Sequence, residues 1–423
     1  MDNAVAARQG ASVIVIGAGI VGMAAASYLR RDGQAVVVID PGAPGEGASL
    51  GNAGCLNGAS VVPMSMPGML SQVPRWLLDP MGPLSIRPGY VLQILPWLAR
   101  FVRAGQPERV AAQARALRSL LAPSIESYLP LVKDAGASDL IHRVGHLFAY
   151  RSDASFAKDE TAMRLRRDNG IVIDELSADE LRQLEPALSP DYVRGRLIGE
   201  NGHCGDPLRL VRSLAEALTR QGGRVLRERV TDVVIEDGRL VGVRTEAGVH
   251  RADRIVLAAG AWSKTLARRL GDRVPLDTER GYHVMLRMPA VMPRIPTLSF
   301  EDKFVATPME GGLRFAGTVE FGGLSAPPDW RRARSLLAQG RRMYPGLGEV
   351  SDDQMSLWMG FRPSMPDSLP VIGPSTRFPN AFYAFGHGHV GLAGGSMTGR
   401  VIADLVAGRP PSIDIAPFRP DRF

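Results

Sequence analysis

Three glycines near the start of the chain have the spacing G-x-G-x-x-G. Gly17, Gly19 and Gly22 separate the short β-branched run Val13–Ile16 from the Ala-rich segment Met23–Arg31. In such a strand–turn–helix unit the first glycine forms a tight turn, the second lets the backbone approach a pyrophosphate, and the third lets the helix pack on the strand. The positive end of the helix then meets the phosphate charge. The spacing therefore predicts a dinucleotide site.

A second buried run, Val36–Ile39, ends at Asp40. A carboxylate some twenty residues after the glycines is placed to accept hydrogen bonds from the ribose of an adenosine. With this strand the unit has the order of half a mononucleotide-binding fold. The same order explains the apolar stretch Ala11–Leu29 better than a membrane-spanning helix, because glycines interrupt the stretch and its first half is β-branched. Glycines alone also occur in ordinary turns, so the flanking strands and Asp40 carry the prediction.

Both FAD and NAD bind to this unit, and three further segments rich in small residues favour FAD. Gly47–Gly54 follows the second strand, and its backbone amides would reach the flavin and the diphosphate; a flexible surface loop is the alternative. Arg254–Ser263 is typical of a buried strand that ends in small residues. It follows alternating runs at Arg229–Ile235 and Leu240–Thr245, which predict antiparallel strands.

The third segment, Gly386–Gly395, lies between a predicted strand, Ala381–Phe385, and a predicted helix, Gly395–Val406. Six glycines between positions 386 and 399 indicate backbone pressed against a flat ligand. The helix N terminus would stabilise negative charge on the N1–C2=O edge of a reduced flavin. The predicted FAD contacts are Gly17, Gly19, Ile20, Val21, Gly22, Asp40, Ser49, Asn52, Ala53, Gly54, Val230, Ala259, Gly260, Trp262, Gly373, Gly388, His389, Val390, Gly391 and Leu392.

The composition is that of a soluble globular protein large enough for two lobes, with 423 residues of which 45% are hydrophobic and 22% charged. The net charge of +7 does not indicate nucleic acid, because basic residues are interspersed with acidic ones. Cys55 and Cys204 form no C-x-x-C pattern, which argues against a disulfide framework and a metal site. Cys55 gives no basis for a covalent flavin link, so we expect non-covalent FAD. Since the first ten residues lack the apolar core of a signal peptide, we expect a cytoplasmic protein.

At this point the chain resembles the D-amino acid oxidase/dehydrogenase superfamily of flavoproteins over nearly its whole length. The stretch from Trp76 to Phe101 looks like the insertion of the D-amino acid dehydrogenase branch. The resemblance implies an α/β fold with a discontinuous Rossmann-like FAD domain and a substrate domain that has a mixed or antiparallel sheet and helices. The predicted FAD domain comprises residues 1–85, 196–274 and 356–423, and the predicted substrate domain comprises residues 86–195 and 276–355.

The resemblance also implies roles for three side chains. Gly360–Asp367 is similar to the family's substrate and flavin segment, in which an arginine pairs with the substrate carboxylate, and this places Arg362 in that role. A guanidinium fork matches a carboxylate bidentately and would fix the α-carbon over the flavin. Tyr282 stands in the family's Gly-Tyr motif and is a candidate to shape the pocket or bind the substrate. His387 is a candidate wall residue or hydrogen-bond donor near the flavin; a core tyrosine and a structural histidine are the alternatives.

Three positions depart from the family pattern near the expected substrate. His283 stands where a small polar residue is common, Met365 where Thr is common, and Leu392-Ala393 where Trp-Thr is frequent. These changes argue against broad D-alanine-type specificity.

The reaction that the resemblance implies is oxidative deamination of a D-amino acid or a related imino acid. Hydride leaves the α-carbon for flavin N5, and the resulting imine hydrolyses in water. A secondary amine such as D-hydroxyproline, sarcosine or an opine is the first alternative substrate. A flavoprotein subunit that is active only with partner chains is the second alternative. The sequence does not indicate an oligomeric state.

The dehydrogenase-type insertion implies a quinone-like electron acceptor. Met64, Met66, Met69, Trp76 and the apolar run Tyr90–Val102 would form a face towards the quinone or the inner face of the cell membrane. The positive net charge favours an anionic membrane surface. Ordinary burial in the core is the alternative explanation of these residues.

Overall fold

The computed structural model describes residues 12–67 and 84–423. Its strands are β1 (Ser12–Ile16), β2 (Ala35–Asp40), β3 (Cys55–Leu56), β4 (Leu84–Ile86), β5 (Ile141–His142), β6 (His146–Tyr150), β7 (Asp174–Leu176), β8 (Arg194–Ile198), β9 (Gly202–Cys204), β10 (Arg224–Arg227), β11 (Val230–Glu236), β12 (Arg239–Thr245), β13 (Gly248–Arg251), β14 (Arg254–Leu257), β15 (Asp277–Leu286), β16 (Thr297–Ser299), β17 (Phe304–Met309), β18 (Gly312–Phe321), β19 (Met355–Ser364), β20 (Val371–Pro374) and β21 (Ala381–Phe385). Its helices are α1 (Ile20–Arg31), α2 (Val91–Ala104), α3 (Pro107–Leu121), α4 (Leu129–Ala135), α5 (Asp153–Lys158), α6 (Glu160–Asp168), α7 (Ala178–Leu184), α8 (Pro207–Arg220), α9 (Ser263–Arg269), α10 (Trp330–Met343) and α11 (Gly391–Val406).

The first sheet has the strand order β10-β2-β1-β14-β21-β20. Neighbouring strands from β10 to β21 are parallel, and β20 is antiparallel to β21. Alternate residues of β1 point to different layers: Val13 and Val15 pack towards α1, α8 and α11, while Ile14 and Ile16 pack towards α9 and the β11-β12-β13 sheet. Burial on both faces explains why β1 is continuously apolar rather than alternating.

Helices α1 and α11 pack closely against each other on one face of this sheet. A Cβ at Gly399 would lie 2.6 Å from the carbonyl carbon of Ala24, so a side chain at that position would force the two helices apart. The sequence pattern predicts that these helices begin at Met23 and Gly395, whereas they begin at Ile20 and Gly391. Glycines that serve close packing inside the first turns explain the late predicted starts.

The second sheet has the strand order β19-β15-β18-β17-β16-β6-β8-β7, with β4 paired to β18. Most pairs are antiparallel, and the β16–β6 and β18–β4 pairs are parallel, so the sheet is mixed as expected. Helix α10 covers one face, and its Gly340 lets the ring of Phe315 approach, because a Cβ there would lie 2.4 Å from that ring. Strands β3, β9 and β5 form a separate short antiparallel sheet in that order.

The predicted domain boundaries differ from the strand pairing at three points. The breaks after residues 85, 195 and 355 fall inside β4, β8 and β19, and all three strands belong to the second sheet. The residues from 356 to 364, which contain Arg362, therefore belong to the second sheet. Pairing with strands far away in sequence decides membership of a sheet, and local composition does not report it.

Two helices follow β4. Helix α2, which covers most of the apolar run Tyr90–Val102, contains Pro96, and α3 begins at Pro107. Met69 and Trp76 lie outside the described residues. None of the helices in the described parts of the chain combines the length and the apolar character needed to cross a lipid bilayer.

Candidate active site

A cavity of about 750 Å³ lies where the carboxyl ends of β1, β14 and β21 face the second sheet. Ligands of open α/β sheets bind outside the carboxyl ends of the strands, which is the position of this cavity. The predicted residues on its wall are Gly17, Gly19, Ile20, Val21, Asp40, Ser49, Asn52, Ala53, Val230, Ala259, Gly260, Trp262, Tyr282, Arg362, His387, Gly388, His389, Gly391 and Leu392.

In the glycine turn between β1 and α1, two of the three glycines have no room for a side chain. Gly17 has a φ of +112°, and a Cβ there would lie 2.4 Å from the carbonyl oxygen of Ala258. A Cβ at Gly22 would lie 2.0 Å from the carbonyl oxygen of Gly17. A Cβ at Gly19 would meet Ser49 Oγ at 3.5 Å, so packing against the described residues does not demand a glycine there. Gly19 instead leaves space on the cavity side, where a pyrophosphate would lie.

Asp40 at the end of β2 fixes the loops around the adenosine end of the cavity. Its Oδ2 accepts a hydrogen bond from the Ala18 amide, and its Oδ1 accepts one from the Gly42 amide, both at 2.8 Å. An ionised carboxylate has about four lone-pair sites, so these two bonds leave acceptors for ribose hydroxyls.

The loop from Gly47 to Gly54 is held through its carbonyl groups. Arg314 on β18 donates to the carbonyls of Leu50 and Asn52, and His283 Nδ1 on β15 lies 3.1 Å from the Gly51 carbonyl. With the carbonyls engaged in this way, the amides of Gly51 and Ala53 find no acceptor in the described parts of the chain. Both residues line the cavity, so these amides are available to a ligand.

Helix α11 directs its N terminus to the cavity wall at Gly391 and Leu392. No side chain caps this end. Gly388, in the turn that precedes the helix, has a φ of +52°. The unpaired amides and the dipole of a long helix favour negative charge at this position. Tyr128 stabilises the first turn from behind by donating to the Leu392 carbonyl at 2.8 Å.

Arg362 on β19 places a guanidinium in the opposite wall. Its Nη1 donates to the Thr318 carbonyl at 3.0 Å, and no acidic side chain lies within ion-pairing distance among the residues that the structure describes. A Cβ at Gly281 would lie 2.3 Å from the guanidinium carbon, so the arginine crosses β15 where a side chain is missing. Burial lowers the pKa of Arg362, and the charge of Glu279 opposes that shift. The guanidinium therefore keeps unused N–H groups at the cavity.

Glu279 is the buried carboxylate beside this arginine. It lies directly opposite Arg362 in the pairing of β15 with β19. Ser364 donates to its Oε1 at 2.6 Å, and His389 Nε2 lies 2.7 Å from its Oε2. Burial raises the pKa of Glu279. The charges of His389 and Arg362 and the hydrogen bonds from His389 and Ser364 lower the pKa by more, so the net shift is downward. The carboxylate is ionised near neutral pH.

Tyr282 lies on the cavity wall, but its hydroxyl group is engaged by the protein. It donates to Glu320 Oε2 at 2.7 Å and accepts from the Asp329 amide at 3.0 Å. Arg280 and Arg87 also bind Glu320, at 3.0 and 2.9 Å. Of the two predicted roles, this arrangement favours shaping the pocket over binding the substrate.

His387 is buried beneath the glycine-rich turn. Its Nε2 lies 2.9 Å from Thr398 Oγ1, whose own hydrogen is donated to the Gly394 carbonyl at 2.8 Å. The threonine oxygen is therefore an acceptor, and Nε2 carries the hydrogen. Burial lowers the pKa of His387 to about 3, so the ring is neutral.

Aromatic side chains form the part of the cavity wall between Arg362 and the Gly47–Gly54 loop, and we call this part the aromatic wall. Trp358 stacks on His283 with ring centres 5.1 Å apart, and Trp262 contacts Phe361 edge to face at 5.7 Å. A Cβ at Gly51 would lie 2.1 Å from the Trp358 ring. His283, one of the three departures from the family pattern, thus supports the tryptophan that forms this wall.

Comparisons with known proteins agree with this geometry. Residues 12–405 match the family model described as "FAD dependent oxidoreductase", named DAO. The chain belongs to the DAO family of FAD-dependent oxidoreductases. It is 43% identical over 419 residues to a "D-amino-acid oxidase" of Bradyrhizobium diazoefficiens, covering 98% of this chain and 99% of that one. It is 30% identical over 418 residues to a "D-amino acid dehydrogenase" of Rhizorhabdus wittichii, covering 97% and 100%.

Solved structures confirm the DAO-type fold. The glycine oxidase of Geobacillus kaustophilus superimposes with a TM-score of 0.74 at 22% identity, covering 98% of this chain and 99% of that one. The L-proline dehydrogenase of P. horikoshii has the same TM-score of 0.74 at 18% identity, with 98% of each chain covered. The predicted superfamily, the two-lobed α/β class and the FAD dependence are confirmed.

The residues of this DAO-family cavity fit FAD. The open side of Gly19 and the N terminus of α1 suit the diphosphate, and Asp40 suits the ribose. The free amides of the loop around Gly51 and the uncapped N terminus of α11 suit the polar edges of an isoalloxazine ring. When bound, FAD supplies a hydride acceptor.

Four predicted contacts are not on the cavity wall. Gly22 faces the Gly17 carbonyl, and a Cβ at Gly54 would meet Met309 and the Cys204 carbonyl at 2.7 and 2.8 Å, so both serve packing. Gly373 lies in β20 near Ile415. Val390 is partly buried against the core between the first sheet and helices α1 and α11. Their glycine or apolar character reflects the fold around the site.

Other parts of the DAO-family site are absent from the sequence-based prediction. Trp358 lines the cavity, Arg314 holds the loop at Leu50 and Asn52, and Glu279 binds His389, yet no motif marks these three residues. The signal that could have revealed them is indirect. Gly51, Gly281 and Gly360 lie on the faces that Trp358 and Arg362 occupy, so small residues in β15 and β19 point to large neighbours.

Proposed function

We propose that the chain catalyses the FAD-dependent oxidative deamination of a D-amino acid or a related imino acid. The observation that carries the proposal is Arg362, a guanidinium set in the cavity wall with free N–H groups and without an ion-pair partner in the described structure. A desolvated cation of this kind is stable when an anion completes its hydrogen bonds. A substrate carboxylate satisfies that requirement, and the names of the two curated relatives support the same substrate class.

The protein's contribution to the reaction is position. Arg362 binds the carboxylate as a fork and directs the α-carbon away from the second sheet, towards the turn at Gly388 and the N terminus of α11. The aromatic wall of Trp358 and Phe361 excludes water from the α-carbon. The amino nitrogen must lose its proton so that its lone pair can form the C=N bond as hydride leaves. The imine product is hydrolysed in water.

The test is anaerobic bleaching of the enzyme-bound flavin by a panel of compounds. The panel contains D- and L-amino acids, N-methyl amino acids, hydroxyprolines, and amines that lack a carboxylate. We expect bleaching by D-amino acids or cyclic imino acids and none by the amines. Bleaching by an amine at the same rate would contradict the role of Arg362.

Replacement of Arg362 by Ala complements the panel. We expect a severe rise in KM for the carboxylate substrate while FAD remains bound, since the FAD wall is on the other side of the cavity. Unchanged kinetics with an intact flavin spectrum would remove Arg362 from the substrate site. Turnover of the isolated chain with an artificial electron acceptor separates a self-sufficient enzyme from a subunit that needs partners.

Secondary amines are the alternative substrate. Two residues that depart from the family pattern, Met365 and Leu392, support testing them because both are buried. Met365 is buried under Gly386, where a Cβ would lie 2.8 Å from its Cγ, and Leu392 lies at the cavity wall. Leu392 is smaller than the tryptophan that is frequent at this place in the family, which leaves room at the wall for a ring such as that of D-hydroxyproline. A higher kcat/KM for the cyclic imino acid than for D-alanine would favour this alternative.

We further propose a quinone-like acceptor that is reached at an anionic membrane surface on the inner face of the membrane. The exposed side of α2 supports this proposal: Leu92 is 82% exposed and Leu95 is 50% exposed, while Ile94 and Trp97 on its other side are buried. Arg100 and Arg103 follow on the same helix. Apolar side chains flanked by arginines are typical of interfacial helices. Comparing reoxidation by dioxygen with reoxidation by a quinone in anionic vesicles tests it, and Leu92→Glu should reduce the second alone.

A further inference from the structure

A histidine–carboxylate pair lies beside Arg362 and has no part in the chemistry described above. His389 Nε2 lies 2.7 Å from Glu279 Oε2, and Ser364 donates to the other carboxylate oxygen at 2.6 Å. The Glu279 side chain is 3% exposed, whereas that of His389 is 35% exposed and lines the cavity. The pair therefore extends from the interior of the second sheet to the space that the substrate would occupy.

The partner of Nε2 determines which nitrogen of His389 is free. Glu279 is ionised, and an ionised carboxylate accepts hydrogen bonds without donating them, so Nε2 carries the hydrogen. In the neutral ring Nδ1 then has no hydrogen and carries a lone pair that can accept one. No donor to Nδ1 is found in residues 12–67 or 84–423, although the other polar atoms of the pair are engaged. An unused acceptor thus lies at the cavity.

The strand pairing brings this acceptor close to the carboxylate site. Glu279 and Arg362 are direct partners across β15 and β19, and His389 reaches Glu279 from the turn that precedes α11. The two groups on the α-carbon of an amino acid, its carboxylate and its ammonium, are neighbours in the same way. A substrate with its carboxylate on Arg362 can present its ammonium group to His389.

We propose that His389 is a further catalytic residue that accepts a proton from the ammonium group of the bound substrate. This inference rests on the proposed function. One N–H bond of the ammonium breaks, an N–H bond forms at Nδ1 of His389, and the electron pair stays on the amino nitrogen. The lone pair then forms the C=N bond as hydride leaves the α-carbon. The imidazolium is stabilised by Glu279, and it returns the proton to water after the imine departs.

The charges around the pair favour this transfer. Glu279 and Asp277 on β15 are acidic, Arg362 on β19 is cationic, and Lys264 on α9 acts on Asp277. His387 in the same turn is neutral and bonded to Thr398. Once the substrate carboxylate neutralises Arg362, the Glu279 carboxylate beside His389 stabilises an imidazolium.

The experiment compares FAD-loaded wild type with His389→Asn, using the amino acid that bleaches the flavin best. The kcat/KM is measured from pH 6 to pH 10. Without the histidine, the substrate must lose its proton to solvent before it reacts. We expect a loss of about 100-fold at pH 7, which is typical of a general base, and a rise of about tenfold per pH unit until the substrate ammonium itself titrates. At that pH the variant should approach wild type.

The matched control is His250→Asn. His250 also pairs with a carboxylate, Glu228, at 2.7 Å, and it is not on the cavity wall. We expect its pH profile to follow wild type. His389→Gln is the second variant and should repeat the behaviour of the asparagine, which guards against a folding defect peculiar to one replacement.

A second measurement follows the flavin absorption as propionate, a carboxylate without an amino group, is added to each FAD-loaded protein. His389→Asn should bind propionate as tightly as wild type, because Arg362 is intact. A variant profile parallel to that of wild type, or a loss of propionate binding, would overturn the role of His389 and indicate a structural residue. A wild-type enzyme that oxidises no amino acid would instead overturn the proposed function, and this inference with it.

Discussion

The two walls of the cavity are built in opposite ways. The first-sheet wall consists of backbone and small residues, and Gly17, Gly260 and Gly388 there have positive φ values that favour glycine. The second-sheet wall consists of long polar and aromatic side chains. Each of these is held by a residue distant in sequence, as Arg362 is held by Thr318. The proposed cofactor recognition therefore depends on close approach of the main chain, and the proposed substrate recognition depends on contacts across strands.

The largest effect should come from filling the gap in β15 that the Arg362 guanidinium occupies. A methyl group in Gly281→Ala would lie 2.3 Å from the Arg362 guanidinium carbon and displace it. Misplacing a buried charged contact costs about 2–5 kcal/mol, so we expect kcat/KM to fall by about 30-fold or more with FAD still bound. The comparison control is Gly199→Ala, where a Cβ meets nothing within 4 Å. Equal kinetics in both variants would show that Arg362 does not bind substrate where the structure places it.

The next prediction separates two glycines of the first-sheet wall. Gly19→Ala should leave the thermal unfolding of the apoprotein unchanged, because its methyl group meets Ser49 Oγ at an ordinary 3.5 Å. It should weaken FAD binding by about tenfold, since the methyl group occupies the side where the pyrophosphate approaches. Gly22→Ala, with its methyl group 2.0 Å from the Gly17 carbonyl oxygen, should instead lower the apoprotein stability by about 1–3 kcal/mol. Thermal scans and FAD titrations of both variants test this reversal.

The contrast between the walls also decides what the sequence alone could predict. The glycine turn, Asp40 and the strand Ala381–Phe385 are local patterns, and the structure has them at the predicted places. Arg362 was assigned from the resemblance and not from its surroundings, since one arginine among many has no local signature. Glu279 gave no signal at all, because its meaning depends on pairing with a strand about eighty residues further along the chain.

Three of the predicted lobe boundaries fall inside strands for the same reason. The second sheet includes β4, β8 and β19, and each joins the sheet through partners that no local pattern identifies. The helix starts at Ile20 and Gly391 were missed because glycines in a first turn usually indicate a loop. Conformations set by long-range packing are thus the part that a single sequence does not report.

A smaller effect is expected at Tyr282, and it sharpens the account of the second-sheet wall. In Tyr282→Phe the hydrogen bonds to Glu320 and from the Asp329 amide are lost, while the ring stays in the wall. We expect the free energy of unfolding to fall by about 1.5–3 kcal/mol, the range for hydrogen bonds to charged groups. The kcat/KM should change by less than about fivefold, because the hydroxyl group does not bind substrate. A loss comparable to that of Arg362→Ala would assign the hydroxyl to the substrate after all.

The remaining prediction concerns acid stability, which should depend on a buried histidine of the second sheet. His146 on β6 is buried, and burial, followed by the charges of Arg166 and His203, lowers its pKa to about 3. The unfolded histidine has a pKa near 6.5, so the unfolded chain binds the extra proton between these values. The stabilising contribution is therefore complete above about pH 6.5 and is lost as the pH falls towards 3, by about 1.4 kcal/mol per pH unit. Urea unfolding at constant FAD from pH 7 to pH 4 should show a shallower decline for His146→Gln than for wild type. His250→Gln, which removes a histidine from the first lobe, serves as the control, and equal slopes for all three proteins would contradict the prediction.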